Sequence, residues 1–193
     1  MTRVATVALW LLAALIAGCD SSPKAAFQLT DLTGAEFGRD FQLTDQHGKP
    51  RTLADFRGKV VAIFFGFAHC PEVCPTALAE LASVANELGK DADRLQVLLI
   101  TVDPERDTPA VLSQYMSAFH PGFLGLYGDV DATTRTAKEF RVFFQKQPLP
   151  DGGYTVDHSA GTYIYDTAGR LRLFAGYGQG AAKMLHDIRL LLQ

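Results

Sequence analysis

Two cysteines, Cys70 and Cys74, lie three residues apart in the stretch FFGFAHCPEVCPTAL, each followed by a proline. Four readings compete for such a pair: a structural disulfide, a redox couple, a metal site, or two buried thiols with no chemistry. If the chain between them coils like a helical turn, their Cα atoms are about 6 Å apart, within the range a disulfide tolerates. Sulfurs so placed can bond to each other or face one ligand. Pro75 is tolerated only near a helix start, so the regular helix is expected to begin there, with Cys74 at its N-cap. Free amides at a helix start stabilise a thiolate, which is both the nucleophile and the metal ligand.

A loop this small removes little unfolded-chain entropy. A 193-residue chain that is 48% hydrophobic can also build a core without a staple, so a purely structural bridge is the weaker reading. Inert thiols are weaker again if the apolar run behind Arg3 exports the chain to an oxidising compartment. For a metal, two thiolates with one imidazole form a soft donor set that suits copper, whereas closed structural zinc normally takes four protein ligands.

The third ligand must then come from five histidines. His47 falls in an expected turn, His120 precedes a proline in a loop, and His186 lies on the terminal helix. His69 adjoins Cys70, and a sequence neighbour usually points away from the site its partner faces. His158, in YTVDHS, stands just before a strand whose counterpart in thioredoxin-type folds follows a loop packed on the cysteine helix start. Asp157 beside it is a candidate to orient the imidazole from outside the ligand set, with a solvated loop acid as the alternative. Near Ala160, where thioredoxin-like proteins carry a cis-proline, there is no proline, which leaves room for a ligand.

The elements that must position these residues alternate between strand and helix. Residues 59–67, KVVAIFFGF, and 95–102 are continuous apolar runs expected as buried central strands. Leu78, Leu81, Ala85 and Leu88 recur at helical spacing and Gly89 supplies a stop, giving a helix over 75–88. Residues 41–44 and 51–53 flank the turn DQHGKP as a hairpin. Asp107-Thr108-Pro109 reads as a helix start, Asp131 opens another helix, and strands at 162–166 and 170–174 precede a terminal helix. The alternation argues for an α/β fold, a central mixed sheet flanked by helices. Strand, cysteine pair and helix in that order resemble a thioredoxin-like fold, though three residues and not two separate the sulfurs, and the resemblance implies an extra N-terminal hairpin and an inserted loop.

The amino terminus reads differently. Arg3 precedes an apolar run over 4–17, and LIAGC ahead of Asp20 resembles a bacterial lipobox. The expectation is a lipoprotein signal peptide over 1–18, lipidation at Cys19, a flexible membrane tether over 19–39 and a domain over 40–193. A net charge of -3 with no basic run supplies no footprint for nucleic acid.

Three segments in order, GFAHCPEVCP (66–75), VDPERDTP (102–109) and VDHS (156–159), resemble the Sco/SenC family of copper proteins, and the likeness covers nearly all of 40–193. That resemblance implies copper, as Cu(I) or Cu(II), bound by Cys70, Cys74 and His158. It implies a chaperone that delivers copper to the dinuclear copper site of cytochrome c oxidase subunit II or another copper protein, or keeps that site reduced. An upstream copper donor would load it or a thiol reductant reset it. Asp20 directly after Cys19 resembles an inner-membrane retention signal of some bacterial lipoproteins, which leads to the expectation of the bacterial inner membrane, facing the periplasm. In VDPERDTP, Asp107 or Thr108 is expected to satisfy free amides, with Asp103 near the site. The alternative is a thiol-disulfide oxidoreductase without obligatory copper transfer. A peroxidase related to peroxiredoxins lacks its Pro-x-x-x-Thr-x-x-Cys pattern here.

Overall fold

The computed structural model describes residues 26–150 and 152–193. The expected signal peptide and Cys19 lie outside the described residues. The chain enters through β1 (Thr30–Asp31) and a hairpin of β2 (Leu43–Asp45) and β3 (Pro50–Arg51). Next, β4 (Val60–Gly66) leads through the cysteine loop into α1 (Val73–Leu88), and β5 (Leu95–Thr101) leads into α2 (Pro109–Ser117). The strand β6 (Leu124–Tyr127) and α3 (Val130–Glu139) precede a second hairpin, β7 (Phe144–Pro148) with β8 (Tyr154–His158). Two strands, β9 (Gly161–Tyr165) and β10 (Leu171–Gly176), and α4 (Ala181–Leu191) complete the fold.

Eight strands form one mixed sheet in the order β1-β10-β9-β4-β5-β6-β2-β3, while β7 and β8 form a separate two-stranded ribbon. At the centre β4 runs parallel to β5 and antiparallel to β9. Every residue of β4, VVAIFFG, and of β5, LQVLLIT, is buried, as continuous apolar runs require when both faces are covered. Each large apolar side chain buried there contributes about 1.5–3 kcal/mol. The one amide among them, Gln96, donates to the Gly122 carbonyl at 2.9 Å and so is not left unpaired.

The helix α1 buries Leu78, Leu81, Val84, Ala85 and Leu88 at spacings of three and four, and packs against α4 through a matching apolar stripe. Gly89 ends α1 at φ 56, a conformation that glycine adopts without the strain a side chain would add. No helix among the described residues is long and apolar enough to cross a membrane.

Four features differ from the sequence expectation. First, α1 begins at Val73 with Glu72 at the N-cap, so Cys74 lies inside the first turn and not at the cap. Pro75 is accommodated because the first four helical amides have no intrahelical partner, and its missing N–H is one of these. Second, α3 begins at Val130, one residue early, because Asp129 is the cap and accepts from the Ala132 amide at 2.6 Å. Third, His158 ends a strand of the β7–β8 ribbon instead of lying in a loop, and neither that ribbon nor β6 is anticipated.

Fourth, the domain does not start at residue 40. Leu29 is buried, β1 pairs with β10, and the buried Asp187 carboxylate of α4 accepts the amides of Gln28 and Leu29 at 2.8–3.0 Å. Part of the expected tether is therefore an edge of the sheet.

Candidate metal centre

The cysteine loop begins where β4 runs out of its ladder. Gly66 ends that strand because there is no room for a side chain: an added Cβ would lie 2.8 Å from Cys74 Sγ and 2.7 Å from the Phe64 ring. The loop is held from below by the buried Asp107 carboxylate, which accepts the Ala68 amide at 3.1 Å and the Thr101 hydroxyl at 2.6 Å. Burial pushes the Asp107 carboxyl up from its ordinary range, against those two hydrogen bonds. Thr108, the next residue, caps α2 by accepting the Val111 amide at 3.3 Å. Asp107 and Thr108 of VDPERDTP thus both satisfy free amides, as expected of one or the other, although only Thr108 is a helix cap.

The first turn of α1 brings the sulfurs together. The Cys74 amide donates to Cys70 Sγ at 3.4 Å, with Cys74 fully buried and Cys70 half-buried. His158 approaches from β8, its Nε2 3.5 Å from Cys74 Sγ. The sulfurs and one imidazole nitrogen all lie within 4.8 Å of one another, the single group of metal-ligating side chains with that geometry among the described residues.

The pair is electrically asymmetric. Hydrogen bonds from the Cys74 thiol, from His158 and from the backbone amides of Cys74 and Glu72 lower the Cys70 pKa to about 3. The same sulfur-to-sulfur contact, together with burial, pushes Cys74 up. One thiolate and one proton therefore occupy the pair.

The imidazole is fixed by its backbone and its walls. His158 Nδ1 lies 3.0 Å from the Ser159 carbonyl oxygen, a contact that is a hydrogen bond when Nδ1 carries a proton, and it turns Nε2 toward the sulfurs. Its ring meets Phe64 and Phe67 edge to face, with centroids at 6.1 and 5.8 Å. Asp157 does not fill the orienting role expected of it: strand alternation turns it outward, where it is exposed, and the Ser159 carbonyl occupies that place.

The other histidines stand apart. His69 Nδ1 lies 3.6 Å from the Asp107 carboxylate, outside the donor group. His120 accepts the Gly122 amide, and His186 pairs with Asp187. The roles of Gly66, Phe64 and Phe67 are not marked in the sequence, where they read as parts of an apolar run.

The SCO1/SenC family model matches residues 29–193. The chain belongs to the SCO1/SenC family. It is 39% identical over 153 residues to Protein SCO2 homolog, mitochondrial, of Mus musculus, covering 78% of this chain and 60% of that protein. Across the curated SCO relatives that it matches, the chain spans about half to two thirds of their length. Among solved structures it resembles Bradyrhizobium japonicum ScoI with copper bound, at 42% identity and TM-score 0.73, over 79% of this chain and 98% of that one. It also resembles apo Sco1 of Thermus thermophilus, at 41% identity and TM-score 0.75, over 86% and 98%. The fold is thioredoxin-like, with the β7–β8 ribbon inserted between α3 and β9.

Proposed function

We propose that this SCO1/SenC protein is a membrane-anchored copper chaperone that holds copper between Cys70, Cys74 and His158. The delivery target in this reading is the dinuclear copper site of cytochrome c oxidase subunit II. The observation that carries it is the soft donor triad within 4.8 Å, in a chain 42% identical to a ScoI whose structure has copper bound. Copper is the cargo, and its binding displaces the Cys74 proton, because a sulfur ligates as thiolate. Three protein donors leave a coordination position open, so an incoming thiolate or imidazole of the receiving protein can bind before one of these three lets go. Oxidation of the pair to a disulfide removes both sulfur donors, so redox state gates the cargo.

The anchor in this proposal is a lipid on Cys19 after removal of residues 1–18, which places the domain on the outer face of the bacterial inner membrane. The mass of the mature amino terminus tests that part separately.

Metal analysis of the reduced protein beside Cys70→Ser and His158→Ala tests the site. Copper in the parent at one per chain and its loss in Cys70→Ser support the proposal; equal copper in all three overturns it.

A second reading rests on the asymmetry of the thiols: a half-exposed thiolate at Cys70 and a buried thiol at Cys74 suit disulfide exchange. The Cys70 thiolate would attack a partner disulfide and release one partner thiolate. Cys74 would then displace the second, leaving a Cys70–Cys74 disulfide that an upstream dithiol reductant resets. This reading expects His158→Ala to keep reductase turnover and oxidase assembly, whereas the copper reading expects assembly to fail.

A further inference from the structure

His158 does not ride on the main sheet. The strands β7 and β8 form their own ladder, so the imidazole depends on whatever holds that ribbon against the body. On β8, Tyr154, Val156 and His158 share one face by their alternate spacing, and Val156 is buried. The sulfur contact lies at one end of this face. Roughly 13 Å along the strand, at four residues' rise, lies Tyr154.

Arg106 grips that far end. Its guanidinium carbon lies 3.7 Å from the centroid of the Tyr154 ring, and Nη1 donates to the Tyr154 carbonyl at 2.9 Å. Arg106 Nε donates to the Asp103 carboxylate, which also accepts the Tyr154 hydroxyl at 2.8 Å. Asp103 is fully buried and its amide donates to the Thr101 hydroxyl, so the clamp is rooted at the end of β5. The guanidinium also stands 5.8 Å from the Phe67 ring, the ring whose other neighbour is His158. Among the described residues the other salt bridge from the ribbon to the body, Lys146 to Glu105, is exposed, and such pairs hold little.

We propose that Arg106 is a positioning residue of the metal centre: by stacking on Tyr154 and binding its carbonyl, it holds the ribbon so that His158 Nε2 reaches the sulfurs. Arg106 is not a member of the donor group, so it acts on the metal indirectly, through the ribbon and through the Phe67 ring that walls His158. The spectroscopic part of its test rests on the copper reading above, and the geometric part does not.

The experiment uses the reduced full chain carrying Arg106→Ala and, against the same contact from the ribbon side, Tyr154→Leu. Each is made alone and together with His158→Ala. Amide hydrogen exchange is read in the metal-free protein, and Cu(II) titration is followed by the thiolate-to-copper absorption band. The expected result is faster exchange across β7 and β8 with unchanged exchange in β4 and α1. Cu(II) affinity falls about tenfold, and Arg106→Ala weakens binding no further once His158 is removed. Equal loss in both backgrounds, or unchanged exchange in the ribbon, overturns the proposal. If Arg106→Ala does not fold, Tyr154→Leu carries the same test. If the parent takes up no copper, the copper reading fails, and the exchange data alone decide whether Arg106 holds the ribbon.

Discussion

Gly66 and Cys74 share one small space: a Cβ built on the glycine lies 2.8 Å from the cysteine sulfur. Since β4 is fixed by its parallel ladder with β5, relief must come from the sulfur or from Phe64. Gly66→Ala is therefore expected to destabilise the fold by about 1–3 kcal/mol, the usual effect of overpacking, and to lower copper uptake by displacing Cys74 Sγ. Urea denaturation and metal analysis of the same sample check both; native stability with full copper refutes the spatial argument.

Cys70 is expected to alkylate as a thiolate in mild acid. Its pKa is lowered to about 3, so the reactive form is present above that pH and is lost only as pH falls through it. The iodoacetamide rate at Cys70 should stay nearly flat from about pH 5 to 8, where an ordinary thiol slows about tenfold per pH unit. Cys74, buried and shifted the other way, should remain unmodified in the native protein. Peptide mass spectrometry separates the two sites.

Removing the Asp107 carboxylate leaves the Ala68 amide and the Thr101 hydroxyl without their acceptor. Asp107→Ala is expected to lower stability by about 1–3 kcal/mol and to change the alkylation rate at Cys70, because the loop that carries it loses its lower support. Asp107→Asn keeps an acceptor oxygen and should lie between the two. A Cys70 rate identical in all three proteins would show that the loop needs no such support.

Asp187 links the two ends of the described chain, accepting amides from Gln28 and Leu29 across a separation of 159 and 158 residues. Asp187→Ala is expected to speed amide exchange over 28–31 toward the rate of free peptide and to open a protease site there, with a stability loss of about 1–3 kcal/mol. Copper binding should not change, since the donor group lies elsewhere. Protection of those amides in the variant would mean that the ladder with β10 suffices alone.

How much of this was legible depended on whether the information was local. The apolar runs of β4 and β5 and the stripe on α1 announce themselves, because burial on both faces or on one face leaves a periodic trace. The nearness of Cys70 and Cys74 follows from helical geometry alone. His158 needs topology, because 84 residues separate it from Cys74.

The orienting partner of His158 was misread because a backbone carbonyl has no signature, whereas Asp157, a side chain of the right type, does. The β7 sequence FQKQP is mostly exposed and does not alternate, so the ribbon leaves no pattern to find. In the same way β1 is held by one buried leucine and a carboxylate on α4 that reads in sequence as an ordinary helix-surface acid.

The separation of thiols from imidazole along the chain sets an order of events at birth. A ribosome working from the amino end releases Cys74 84 residues before His158, an interval of roughly 4–17 s at ordinary elongation speeds. For that time the nascent polypeptide exhibits two neighbouring sulfurs and no nitrogen to complete the set, so whichever oxidant or reductant is nearby meets them first.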